Sequence, residues 1–371
     1  MVDLKSQYEK IKEEVNASIQ DVLENNTYIN GPLVHQFQAD LETYLGAKHV
    51  IPCANGTDAL QIAMMGLGLQ PGDEVITADF TFAATVEVIA LLQLTPVLVD
   101  VDINNMNISL DGIRKPITPK TKAIVPVHLF GRAANMDAIM EIANEHNLYV
   151  IEDNAQAIGA DYTNKDGVKK KVGTIGHVAA TSFFPSKNLG CYGDGGAIYT
   201  NDDDLAHIIR GIVNHGMYER YHHDVVGVNS RLDSIQAGVL KAKLPHLDTY
   251  NRARQDAARK YTLALGVNPN IVAPTICENC DCHVFHQYVI RITNGKRDAL
   301  LAHLQEKEIP CAIYYPIPLH SQKAYADVRY KEEDFPVTNQ LCKEVIALPM
   351  HTELDDEQIK FITDTVLEFL K

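Results

Sequence analysis

The chain has 371 residues, 46% of them hydrophobic, and a formal net charge of −15. That length exceeds one small core and points to two or three units, with enough apolar side chain to fill them. The acidic balance excludes a nucleic-acid partner, because no basic excess is present to neutralise phosphates; the lysine-rich 168–171 reads as a solvated hairpin tip.

In chain order, the opening MVDLKSQYEKIKEEV is charged from Asp3 onward and does not read as a signal peptide. Apolar spacing predicts a helix over 3–25 and a second over 30–46, closed by Gly46. Short apolar strands are then predicted at 49–54, 73–78, 95–102, 123–130 and 148–153, with helices between them. Such alternation implies βαβ units and a mostly parallel sheet, whose ligands sit beyond the carboxyl ends of the strands. The longest apolar run, 82–99, carries Glu87, Gln93 and Pro96 and does not span a bilayer. A soluble, cytoplasmic protein is expected. Its seven cysteines, an odd number, fit reduced thiols. From about Leu247 the pattern changes: a long polar helix over 247–265, strands at 286–292 and 311–315, a helix over 296–309 and a closing helix over 355–370. The expected division is a large domain at 1–246 and a smaller α+β domain at 247–371.

Three features carry chemistry. The strand LYVIED ends in Asp153, where a carboxylate leaving a buried strand needs a cationic or hydrogen-bonding partner; on its own it also fits a helix N-cap. Asn55, Gly56 and Thr57 precede a helical pattern and form either an anion cradle or a plain cap. The stretch SFFPSKNLGCYGDGGA, 182–197, places Lys187 before a set of glycines. A Walker loop has its lysine after the glycines, and a dinucleotide fingerprint has a helix after them; here a strand follows. A lysine on a tight turn, an acid at a strand end and an anion cradle meet the needs of pyridoxal phosphate. CENCDCH, 277–283, offers Cys277, Cys280, Cys282 and His283, but their crowding and the lack of a second pair favour a surface loop over a metal site.

Longer motifs carry a resemblance: ANGTDALQIA, TFAAT, VIEDNAQAIGA, SFFPSKNLGCYGDGGAI, GVNSRLDSIQA and YYPIPLHSQKAY occur in one order from end to end. The chain resembles the DegT/DnrJ/EryC1 sugar aminotransferases. The resemblance implies an α/β, fold-type-I (aspartate aminotransferase-like) architecture and pyridoxal 5'-phosphate as cofactor. It places Lys187 as the lysine that carries the cofactor, Asp153 at its ring nitrogen, Gln156 beside its phenolic oxygen and Phe82 over its ring. Gly56, Thr57 and Ser182 fall on the phosphate positions. Asn229 falls on one that reaches the phosphate from the other subunit of a homodimer. Tyr314, Tyr315 and His320 are directed to the mouth of the site. Asn154 and His177 depart from the common pattern, but neither lies on a cofactor-bonding position.

The resemblance further implies amino transfer from L-glutamate to a nucleotide-linked keto sugar. The nearest branch acts on UDP-2-acetamido-2-deoxy-3-oxo-D-glucuronate, for surface polysaccharide such as O-antigen. Arg231 is then expected to grip the sugar's carboxylate through its planar fork. The alternatives are a 4-keto-6-deoxy nucleotide sugar or a non-catalytic regulatory protein that binds the cofactor. Lys187 itself argues against the relatives that carry histidine there and deoxygenate sugars.

Overall fold

Seven strands form one sheet: β1 (His49–Cys53), β2 (Glu74–Ala78), β3 (Thr95–Val99), β4 (Thr121–Val125), β5 (Tyr149–Asp153), β6 (Val178–Ser182) and β7 (Gly196–Thr200). The computed structural model describes residues 2–275 and 282–371. The sheet order is β1-β7-β6-β5-β4-β2-β3, so β5 lies at the centre. β7 is antiparallel to both its neighbours, and all other strands run the same way.

Strand periodicity explains the layers, because alternate side chains face opposite sides of a sheet. On β5, Val150 joins one apolar cluster and Ile151 the other. On β2 and β4 the same split separates Ile76 and Ile124 from Val75, Ala123 and Val125. The Ile151 side is covered by α3 (Gly56–Gly66), through Ala59, Leu60, Ile62 and Ala63, and by the helix Asp203–Ile212. The helix Met136–His146 covers the Val150 side. The two N-terminal helices, α1 and α2, span Leu4–Asn25 and Pro32–Leu45, and Gly46 ends the second at φ +67°. No helix among the described residues is long and apolar enough to cross a membrane.

The C-terminal part has its own antiparallel sheet, β8 (Ile271–Val272), β9 (Tyr288–Ile292) and β10 (Val345–Leu348). The helix Leu247–Leu265 joins the two parts: Leu247 belongs to the core around β1 and β7, and Ala257 to Leu265 belong to the smaller core. The contact between the parts is polar as well as apolar. Asp100, just beyond β3, accepts from the Val337 and Thr338 amides at 2.9 and 2.8 Å, and from the Thr338 hydroxyl at 2.8 Å. It acts as a remote cap for the helix Pro336–Glu344, whose first-turn amides have no partner within the helix.

Three sequence expectations need correction. The strand expected at 123–130 stops at Val125; the chain stays bonded to β5 through the Val127–Asp153 bridge and then turns tightly at Leu129–Gly131. The strand expected at 311–315 makes a single bridge, Ala312 to Ala347, before the segment is drawn toward the large sheet through Tyr315. Lys169–Lys171 is an arm of a hairpin, not its tip: it pairs with Asp161–Thr163, and Lys169 and Lys171 both sit 3.0 Å from Asp161.

Replacing Asp100 by Ala should strip the acceptor from two helix-start amides and cost about 1–3 kcal/mol of stability. The check is the midpoint of chemical denaturation; a midpoint equal to that of the unmodified protein would show that the cap contributes nothing.

Candidate active site

Two adjacent carboxylates leave the central strand on opposite faces and are treated differently. Glu152 is fully buried and accepts from His128 Nε2 at 2.9 Å and from the amides of Gly173, Ile175 and Gly176 at 2.8, 2.7 and 2.6 Å. His128 Nδ1 accepts from the Ala134 amide, which places the ring proton on Nε2. Burial alone would raise the Glu152 pKa, but His128 and the amides outweigh it and hold the carboxylate below its usual range. Asp153, 5% exposed, has only neutral hydrogen-bond donors among the described residues: the Thr85 hydroxyl at 2.8 Å and the Ala155 amide at 3.1 Å. Burial raises its pKa. The Lys187 charge acts on it from a distance, but no cation donates a hydrogen bond to it among the described residues.

An anion cradle lies on the same face. Asn55 caps α3 by accepting from the Asp58 amide at 2.8 Å. Helix geometry leaves the Gly56 and Thr57 amides without a partner. A Cβ on Gly56 would stand 2.6 Å from Ser182 Cβ, and one on Gly196 would stand 2.5 Å from the Asn55 carbonyl group. Glycine is therefore required where the helix start meets the ends of β6 and β7. The Ser182 hydroxyl faces the same corner and accepts from the Phe184 amide at 3.3 Å.

Lys187 enters on the turn that follows β6. Its amide donates to Phe184 O at 2.8 Å, and the Cys191 amide donates back to Phe183 O at 2.8 Å. Burial lowers its pKa from the ordinary 10.5 to about 8, against the opposing pull of the Asp153 charge. An amine of this kind is a usable nucleophile near neutrality.

The structure brings most of the remaining predicted residues to this corner. Phe82 is 58% exposed, unusual for a phenylalanine beside a buried core, and its ring lies 6.4 Å from that of Tyr315. Gln156 is buried, accepts from the Phe130 amide at 2.7 Å and donates to the Tyr315 hydroxyl at 3.2 Å. Tyr314 packs beside Tyr315 at 6.0 Å. His320 differs from expectation. Rather than opening to the mouth, it is buried, with its amide and Nδ1 each 2.7 Å from Asp79 and its ring stacked on Phe335. Asn229 is exposed, bridged to Asn214, and Arg231 is half-buried with Nη1 3.4 Å from Asn214 Oδ1.

Asn154 and His177 are structural, as their positions suggest: Asn154 donates to Val172 O, and His177 accepts from the Val150 amide. His283 is a core ring stacked 3.7 Å from Phe285; its pKa falls to about 3 through burial. Cys277 and Cys280 lie outside the described residues. Among the described residues no group of three His, Cys, Asp or Glu is placed to hold a metal. Sequence reasoning missed Thr85, Glu152, His128 and Asp79. Part of the signal was position: Thr85 and Glu152 stand within quoted motifs and Asp79 stands two residues before one, whereas His128, beyond β4, lies outside them all.

These residues fit pyridoxal phosphate on two observations. The cradle at Gly56, Thr57 and Ser182 is kept open by glycine and offers unpaired donors to a phosphate, and the buried Asp153 carboxylate calls for a cationic N–H. Gly56, Thr57 and Ser182 would hold the phosphate, Asp153 the ring nitrogen and Lys187 the aldehyde.

Comparison with known proteins agrees. Residues 9–367 match the DegT/DnrJ/EryC1/StrS aminotransferase family. The chain is 46% identical to the Pleiotropic regulatory protein of Geobacillus stearothermophilus, covering 100% of this chain and 98% of that one. It is 47% identical to the UDP-2-acetamido-2-deoxy-3-oxo-D-glucuronate aminotransferase of Pseudomonas aeruginosa, covering 97% of each. The solved structure of NtdA from Bacillus subtilis with bound cofactor PMP is 29% identical, with a TM-score of 0.90, covering 97% of this chain and 82% of that one.

In cofactor-free protein, labelling of Lys187 by an amine-reactive reagent, followed by peptide mass spectrometry, should titrate near pH 8 rather than 10.5. Asp153→Asn removes the charge that favours the ammonium, so the titration should move lower still. A midpoint in the ordinary lysine range for both proteins would contradict this account of the site.

Proposed function

Because the chain belongs to the DegT/DnrJ/EryC1/StrS aminotransferase family and is a pyridoxal-phosphate-dependent sugar aminotransferase, we propose that it moves an amino group from L-glutamate to the 3-keto carbon of UDP-2-acetamido-2-deoxy-3-oxo-D-glucuronate. The product would serve surface polysaccharide such as O-antigen. The observation that carries the site assignment is one juxtaposition: a buried carboxylate held only by a hydroxyl and an amide among the described residues, a lysine of lowered pKa and a helix-start anion cradle meet at the carboxyl end of one sheet.

When bound, pyridoxal phosphate supplies an aldehyde that accepts the amino group and a ring that withdraws electrons from the reacting carbon. The rest is done by the chain. Lys187 Nζ holds the cofactor between turnovers and, once released, takes a proton from the amine-bearing carbon of the donor and later returns one to the sugar carbon. Asp153, oriented by Thr85 and Ala155, holds a proton on the ring nitrogen. Gly56, Thr57 and Ser182 fix the phosphate, so that the reacting atoms stay in register. Phe82 would cover the ring face, and Gln156, tied to Phe130 and Tyr315, would stand beside the phenolic oxygen. Tyr314 and Tyr315 line the entrance used by the sugar.

The site is completed by a second copy. Asn229 and Arg231 follow a hairpin, Met217–Glu219 with His222–His223, that exposes Tyr218 and Tyr221, and a connection that exposes Val225 and Val226. Exposed apolar side chains gathered along one segment mark an interaction surface. From there Asn229 reaches the neighbour's phosphate and Arg231 the sugar carboxylate. Arg231 suits that task because its one side-chain hydrogen-bond partner among the described residues is the neutral amide of Asn214, which leaves the charge of the fork unneutralised.

Two outcomes follow. Lys187→Ala and Asn229→Ala should each be inactive, yet recover activity when mixed, since a heterodimer restores one intact site; a fully active monomer in sedimentation would overturn the shared site. Arg231→Lys keeps charge but loses the fork, and should lower kcat/KM on the uronate by about one to two powers of ten. The glutamate half-reaction should barely change. Equal use of a UDP 3-keto sugar without the carboxylate would reject the uronate and bring a 4-keto-6-deoxy sugar forward.

A further inference from the structure

Lys243 is a buried lysine for which the reaction has no evident use. It ends the helix Ser234–Lys243 and is 1% exposed. Its Nζ donates to Gly190 O at 2.8 Å and stands 4.4 Å from the centre of the Tyr192 ring. No carboxylate lies within ion-pair distance of it among the described residues, and burial brings its pKa down to about 8. Burying an ammonium against a carbonyl and an aromatic face, with no counter-charge, works against stability. A methionine would fill the same space without that penalty, so stability alone does not account for the charge.

What the ammonium touches is the turn that carries Lys187. A Cβ on Gly190 would stand 2.4 Å from Pro185 O, so the 184–190 segment folds back on itself at that point. Asn188 anchors one side by donating to Asn251 Oδ1 at 2.8 Å and Val284 O at 3.0 Å. The other anchor is Lys243 on the Gly190 carbonyl. Tyr192, which covers the ammonium, packs in turn edge-on against Tyr8 of the first helix at 6.0 Å.

We propose that Lys243 is a positioning residue which, through the carbonyl of Gly190, fixes the turn that holds Lys187 Nζ beside Asp153. The inference rests on the reading of Lys187 as the reacting lysine. Loss of the anchor leaves the fold intact but lets the turn relax and admit water, so Lys187 is misplaced and regains ordinary lysine character.

The test compares Lys243→Met, which keeps the volume and removes the donor, with Lys243→Gln, which returns a neutral donor. Lys243→Met should lower kcat about 10- to 100-fold, as expected for a reacting group displaced by about 1 Å. The KM values for sugar and glutamate and the thermal midpoint should stay close to those of the unmodified enzyme. In cofactor-free protein the labelling midpoint of Lys187 should rise from about 8 toward 10.5, and Lys243→Gln should recover most of both effects. An unchanged kcat with an unchanged labelling midpoint would overturn the proposal. So would a loss of activity that only follows a loss of folded protein. If Lys243→Met does not fold, Lys243→Gln and Lys243→Arg decide: wild-type rates and labelling support the hydrogen bond, and activity lost with the labelling midpoint unmoved rejects it. Lys187→Ala runs in the same assay. Turnover by that variant would refute the reading of Lys187 and not the anchor, because the labelling arm reports on the turn whatever Lys187 does.

Discussion

The arrangement depends on how two neighbouring buried carboxylates at the end of the central strand are balanced. Both would be unstable as unpaired charges in a dry interior. Strand geometry sends Glu152 and Asp153 to opposite faces, so each can be answered separately. Glu152 is answered completely, by one imidazole and three amides, and these contacts fix the 173–176 segment against the sheet. Asp153 is answered only in part, by a hydroxyl and one amide. The incomplete partner set is what makes it available to a cationic ring nitrogen.

The other site elements converge on that strand end for ordinary reasons of packing. The helix that packs on the Ile151 face starts at Gly56, so its free amides face the side to which Asp153 points. The ends of β6 and β7 come close enough that only glycine fits at 56 and 196. Lys187 follows from the next turn, where a lysine would ordinarily seek water. The turn is short, closed by two backbone hydrogen bonds and held from behind by Asn188 and Lys243, so the ammonium's preference for solvent is overruled. The lowered lysine pKa and the raised aspartate pKa share one cause, the exclusion of water, and each charge moderates the other.

The smaller part of the chain closes the site through two ties. Tyr315 meets Gln156, and His320 meets Asp79 through both its ring and its amide. Both partners on the large side, Gln156 and Asp79, lie beyond the carboxyl ends of strands β5 and β2. Together with the Asp100 cap on the helix Pro336–Glu344, these contacts hold the Tyr314–Tyr315 segment over the strand ends. Apolar packing crosses between the parts as well: Val289, Leu341 and Ala347 join the cluster of Ile76 and Ile124, so polar ties and an apolar seam act together.

The sequence alone determined the elements and the chemical types. Period-2 and period-3.6 patterns are local, so the parallel sheet, the helix over 3–25 and the glycine stop at 46 were legible, as were Lys187, Asp153 and the Gly56 cradle once several motifs were found in order. Tertiary structure decided what depends on distant partners. It ended the strand at Val125, reduced 311–315 to a single bridge and folded His320 inward, because each segment found a better partner far along the chain: β5, Gln156 and Asp79. Glu152 and Lys243 looked like ordinary charged residues for the same reason. A charge reads as solvent-exposed until the fold removes the water, and the donors or acceptors that then answer it come from loops and helices that no local pattern connects.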